Sequence, residues 1–321
     1  MRDRMERHQI AVYAIVLLLA GLFGSFWPAV GSRMDGAIPP LIGVLLYGMF
    51  AQLPFFRLRE AWGDRRFMLA LLLVNHLLVP VLVWGLAQLL PGDPALLLGV
   101  YLVLLAPCID YVIVFAHLGG GDARLMLLAT PLLFVSQMLL LPVYLWLFLG
   151  SEAAALIEPG PFLEAFAALI LLPCLAALAT QWWSRRRPAS GEPLLAATAW
   201  LPVPLMAAVL FVVVSSQASR IIDSWEMIVL AVPIYIAYMA ATPFLARWIA
   251  WLFRLSAPGG RTLIFSAGTR NSLVVLPLAL ALPEPTDSLV AAVIVTQTLV
   301  ELAGELVYIR WMPKLYSGRH Q

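Results

Sequence analysis

Long unbroken runs of apolar residues alternate along the chain with short polar links. The runs are continuous rather than alternating residue by residue, so they predict helices and not strands. About 20 apolar residues in helical form cross a bilayer. Ten such spans can be placed, over 10–26, 37–53, 67–90, 95–117, 123–149, 161–183, 194–216, 225–251, 261–282 and 286–312. Pro233 and Pro243 lie inside the eighth and predict a kink there. The first run follows a basic head, as in a signal peptide. It lacks a small-x-small cleavage site before Trp27 and reads as a retained span. With links this short, residues 1–321 read as one all-α integral membrane domain.

Composition agrees: 62% of the 321 residues are hydrophobic and only 12% charged, against about a quarter charged in soluble domains. A net charge of +2 implies no nucleic-acid surface. The two cysteines, Cys108 and Cys174, both fall inside apolar runs, so no disulfide framework is expected.

Loop charges set the sidedness. Alternate links carry Arg2, Arg4, Arg7, Arg57, Arg59, Arg65, Arg66, Arg124, Arg185, Arg186, Arg187, Arg247, Arg254, Arg261, Arg310, Lys314 and Arg319. The opposite links hold only Arg33 and Arg220, among Asp93, Glu152, Glu158, Asp223, Glu226, Glu284 and Asp287. Seventeen basic residues against two is a strong positive-inside bias. It survives only with an even span count. Both termini are therefore expected in the cytoplasm, and the protein in the inner or plasma membrane.

Ten spans divide into two fives, about 8–150 and 159–313. An odd repeat length inserts the second copy upside down, the inverted-repeat plan of many secondary transporters. Spans four and nine are both interrupted, at Pro107 and at Gly268, and each interruption leads into a polar knot: "CID" at 108–110 and "TRN" at 269–271. Broken spans four and nine are expected to cross there. Spans five and ten each carry a glutamine, Gln137 and Gln297.

Ionisable groups at depth are few: Asp110, Arg270, Glu301 and Glu305, with His76 and His117 near them in the pattern. A charge at a span centre costs roughly 2.5–3.5 kcal/mol on insertion scales, so these residues need partners or a wet cavity. Pro107 should end one helix near 103–106 and start a half-helix, with Cys108 and Asp110 in its first turn, where the dipole favours an anion. Arg270 is the expected partner of Asp110, either as a self-neutralising pair or as part of a binding site. Gln297, Glu301 and Glu305 recur every four residues and share a helix face, with Glu305 near enough to the cytoplasmic end to snorkel. Three carboxylates against one arginine require a bound proton or a cation such as sodium. The second Pro-Cys pair, Pro173–Cys174, has no polar neighbour and reads as a simple kinked helix. His76 beside Asn75 reads as a core histidine. Cys108 and His117 lie on opposite helix faces, which excludes a Cys–His dyad within this helix. No HExxH, GxSxG or phosphate-binding loop occurs, so neither a cofactor nor ATP is implied.

These residues resemble a known family. "APCIDYVIVFAHLGGGD" is similar to the fourth span of the Acr3-type arsenite efflux permeases, in the bile acid/sodium symporter superfamily. "SAGTRNSLVVLPLALAL" and "VIVTQTLVELAGELVY" resemble that family's ninth and tenth spans. The resemblance implies ten spans in two inverted fives. It places Cys108 at the cysteine linked to arsenite, Asn271 at a ninth-span asparagine and Glu301 at the last-span glutamate. The chain departs from the family at Pro107, where arginine is usual, at Asp110, usually apolar, and at Arg270, usually a second asparagine. The implied function is a transporter, not an enzyme: efflux of arsenite or a related metalloid or oxyanion. Arsenite is bound as substrate by Cys108, since a soft ion suits sulfur. Asp110, Glu301 and Glu305 carry the exchanged proton, with Arg270 and Asn271 completing the site. One alternative is a sodium- or proton-coupled organic-anion symporter in which Arg270 grips a carboxylate. Another is an intramembrane enzyme using Cys108, Asp110 and a histidine.

Overall fold

The computed structural model describes residues 2–57, 60, 62–154, 159–223 and 225–316. Arg59, Glu158 and Arg319, which entered the loop-charge argument, lie outside the described residues. The helices in chain order are α1 Arg2–Phe26, α2 Pro28–Ser32, α3 Ile38–Gln52, α4 Arg65–Leu73, α5 Val79–Ala87, α6 Pro94–Leu104, α7 Val112–Leu118 and α8 Ala123–Ala154. They continue as α9 Pro159–Phe166, α10 Leu172–Arg186, α11 Pro188–Thr198, α12 Pro202–Asp223, α13 Trp225–Leu252, α14 Ala257–Gly268, α15 Ser272–Leu280 and α16 Thr286–Leu315. No strand occurs among the described residues, and seven of their helices are long and apolar enough to cross a membrane. The protein is an all-α, multi-pass membrane protein. The expected fourth span is split into α6 and α7, and the ninth into α14 and α15. The eighth, with its two prolines, stays one continuous helix, α13.

The chain folds into two compact units. One comprises Met1–Leu53, Ile157–Trp225 and Leu276–Ala292, the other Pro54–Leu156, Glu226–Val275 and Val293–Gln321. In the first, α1 and α3 pack on α12, and α3 also on α10. The last carbonyls of α3 have no partner within their own helix. The Gln181 amide of α10 donates to them, at 3.1 Å from Phe50 O and Ala51 O and 2.8 Å from Leu53 O.

The second unit shows how prolines are accommodated at depth. A proline lacks the N–H that would bond the carbonyl four residues back. Pro80 thereby frees His76 O, which accepts from the Tyr144 hydroxyl at 2.7 Å. Pro243 frees Met239 O, which accepts from Tyr308. A π turn, Val74–Leu78, precedes Pro80, and a second, Ala167–Leu171, precedes Pro173 in the other unit. In each, the residue just before the proline bonds five residues back, Val79 N to Val74 O and Leu172 N to Ala167 O. The extra residue absorbs the missing donor and turns nearby side chains to a new face.

Candidate functional site

The six candidate site residues, Cys108, Asp110, Arg270, Asn271, Glu301 and Glu305, all belong to the second unit. Their positions follow from two helix breaks. α6 starts on an Asp93 cap, with Asp93 Oδ1 accepting from Leu96 N at 2.8 Å, and stops at Leu104. Pro107 disfavours helical backbone at Ala106, and residues 105–111 run irregularly before α7 begins at Val112. α14 starts on a Ser256 cap and ends at Gly268. A Cβ on Gly268 would stand 2.6 Å from the Tyr308 ring, so only glycine admits that tyrosine.

The two breaks pair with each other. Pro107 and Arg270 form an isolated antiparallel bridge, in which Cys108 N donates to Thr269 O at 3.3 Å and Asn271 N to Ala106 O at 2.8 Å. Irregular backbone at membrane depth persists only where protein satisfies it, and each break satisfies the other. The expected meeting of "CID" and "TRN" is thus present as a backbone contact. One expectation is corrected: Cys108 and Asp110 lie in the extended link, not in the first turn of a half-helix. The bridge holds the chain extended past Pro107, and α7 starts four residues after Cys108.

A second correction concerns the Asp110–Arg270 pair. Cys108, fully buried, donates its Sγ–H to Asp110 Oδ1 at 2.8 Å. Among the described residues no carboxylate oxygen pairs with the Arg270 guanidinium. Instead Nη2 lies 2.5 Å from Ser266 O, 2.8 Å from Ala267 O and 2.9 Å from Asn75 Oδ1, and Nη1 lies 3.5 Å from Leu104 O. The guanidinium carbon sits 5.7 Å from the Tyr238 ring centroid, within cation–π range. The carbonyls at two helix ends draw the arginine away from Asp110, because those ends carry unpaired acceptors and negative dipole.

The acidic face of α16 closes the site. Glu301 Oε1 accepts from the Tyr111 hydroxyl at 2.8 Å. Its Oε2 accepts from Arg270 N and from Gln297 Nε2, both at 2.7 Å. Glu305 does not snorkel. It is 0 % exposed, with Oε1 2.9 Å from Thr269 Oγ1 and Oε2 without a partner. The hydroxyls near both glutamates are shared. Tyr111 OH is also 3.1 Å from Arg270 O, and Thr269 Oγ1 is 2.7 Å from Phe265 O. Each hydroxyl has one proton for two acceptors. Leu299 and Leu306, off this face, are exposed.

Asn271 Oδ1 caps α15 through Val274 N at 3.2 Å, leaving Nδ2 unpartnered. Both amide atoms of Gln137 and Oε1 of Gln297 are likewise buried without partners. His76 bonds Ser136 Oγ through Nε2 at 2.7 Å, and His117 is exposed. Neither bonds Cys108. The residues missed in the sequence are Asn75, Tyr111 and Tyr238. Asn75 had a readable signal: a lone amide in an apolar run five residues before Pro80. The π turn, which the 3.6-residue period hides, directs it to Arg270.

A polar meeting of two helix breaks, enclosed in an apolar helical bundle, is an arrangement of membrane transporters. Residues 39–250 match the sodium bile acid symporter family, and the chain belongs to that family of transporters. No curated protein matches the chain at a significant level.

Proposed function

We propose that the protein is a secondary transporter of ten spans in two inverted fives, exporting arsenite or a related small metalloid or oxyanion in exchange for protons at this crossing. Both termini are cytoplasmic, in the inner or plasma membrane. The division of the units supports the repeat. Apart from residues 276–292, one unit takes the first two expected spans of each half and the other takes the remaining three.

The observation that carries the cargo assignment is the thiol of Cys108 held on Asp110 beside the backbone bridge. Arsenite arrives as neutral arsenous acid. The Cys108 S–H bond and one As–O bond break, an S–As bond forms, and water leaves without change of oxidation state. Asp110 receives the thiol proton and passes it to the departing hydroxyl. A single sulfur gives an exchangeable bond, as transport requires. Asn271 Nδ2 is free to meet an oxygen of the cargo. Glu301 and Glu305 hold the exchanged protons. A proton on either carboxyl lets it donate to its neighbouring hydroxyl, Tyr111 or Thr269, which then serves the carbonyl beyond. In cells lacking their own arsenite exporter, Cys108→Ser should lower tolerance to that of the empty vector. Tolerance equal to the intact protein sinks the thiol role.

The family match favours a second reading, sodium-coupled uptake of an organic anion. Arg270 keeps Nε unpartnered and holds Nη1 on a single 3.5 Å contact to Leu104 O, so donors remain for a carboxylate. Sodium-driven uptake of a labelled bile acid, unchanged in Cys108→Ser, would replace the first reading with this one.

A further inference from the structure

The site gathers more oxygen acceptors around one guanidinium than its backbone can use, three on Nη2 and Leu104 O on Nη1. α14 ends at Gly268, so Ser266 O and Ala267 O have no helical N–H to accept from. α6 ends at Leu104, which frees Leu104 O. The π turn adds Asn75 Oδ1. These four are neutral oxygens, three from the negative ends of half-helices. Unwound carbonyls and half-helix C-termini are what coordinate sodium in secondary transporters. Here the four converge on the guanidinium of Arg270, which is 0 % exposed.

We infer that Arg270 is a tethered cation filling an oxygen cluster that would otherwise take a sodium ion, so this protein neither binds nor needs sodium at the crossing. Sodium leaves and enters with each cycle; a guanidinium on the backbone cannot. The arginine supplies the positive charge permanently, and coupling falls to the exchangeable protons of the neighbouring carboxyls. This deepens the transporter reading by assigning its coupling ion. The sodium measurement below reads binding alone and does not depend on the cargo being arsenite.

The test is thermal unfolding of the purified full chain in nanodiscs, in sodium chloride and in choline chloride at equal ionic strength. The intact protein should unfold at the same temperature in both. Arg270→Lys, which keeps a tethered cation, should also be indifferent to sodium. Arg270→Gln removes the charge and should unfold earlier in choline, then recover with sodium in a saturable rise of about 2–4 °C. A saturable sodium response in the intact protein overturns the inference. So does an Arg270→Gln protein that is equally unstable in both salts. An arsenite experiment that fails while these results hold removes the cargo assignment and leaves the tethered cation standing.

Discussion

The dipeptide Pro-Cys occurs twice in this chain, and its two copies end in opposite structures. At Pro173–Cys174 the helix continues. The π turn Ala167–Leu171 supplies one extra residue, Pro173 takes an early position of α10 where its N–H is not needed, and Cys174 is buried. At Pro107–Cys108 the helix stops, and seven residues pass before the next one begins. A proline removes one donor in both places. What differs is the partner: beside Pro107 a second broken segment offers Thr269 O and Asn271 N to the exposed backbone. Non-helical backbone at membrane depth persists where protein or a water-filled cavity satisfies it, and here the second break does so.

The most severe way to undo this difference is to take away the partner's donor. Asn271→Pro removes the N–H that bonds Ala106 O and should cost about 1–3 kcal/mol for the carbonyl left unpaired, on top of the lost cap, seen as a large fall in unfolding temperature. Asn271→Ala keeps that N–H and loses only the cap on Val274, about 1 kcal/mol. Equal losses in the two variants would mean the bridge is not what holds the break open.

Next in size is Gly268→Ala. Its Cβ would meet the Tyr308 ring at 2.6 Å, an overpacking cost of about 1–3 kcal/mol. Unfolding in denaturant measures it, and a stabilised variant would show that Tyr308 moves aside freely.

The cysteines sharpen the contrast on function rather than stability. Cys108→Ser should abolish arsenite export from everted vesicles. Cys174→Ser should export at the rate of the intact protein, and each should unfold within about 3 kcal/mol of it, the cost of burying a hydroxyl. Similar export by both variants would make the two dipeptides functionally alike. The smallest effect is expected at Pro173→Ala. Because the π turn already absorbs the missing donor, its stability should stay within about 1 kcal/mol of the intact protein. A larger loss would mean that the proline itself, and not the turn before it, shapes this helix.

Much of the site could be read from residue order. Pro107 and Gly268 marked the two breaks, and the similarity of "CID" and "TRN" as polar knots predicted that they meet. The spacing of Gln297, Glu301 and Glu305 predicted one shared face; Gln297 and Glu301 join on it by a hydrogen bond, and Glu305, expected to snorkel, is buried there too. The charge partners could not be read. Pairing Asp110 with Arg270 counted side-chain charges and left out main-chain acceptors. Two helix ends present carbonyls that outcompete a distant carboxylate, and a carboxylate already holding the Cys108 thiol has no need of the arginine. Tyr238 was also invisible, because an aromatic residue in an apolar run looks like core until its hydroxyl is seen on Ala267 O at 2.6 Å.

Sequence alone determined that this chain lives in a membrane as helices, where those helices are interrupted, and which few ionisable residues lie at depth. Apolar run length and the cost of burying charge act locally, so residue order reveals them. Only the tertiary structure decided who satisfies whom: Asn75 through a π turn, Tyr111 on Glu301, and Arg270 on the carbonyls of broken helices. Those choices depend on where unpaired backbone groups come together in space. A backbone carbonyl is the same in every residue, so no sequence pattern records which of them a side chain will find.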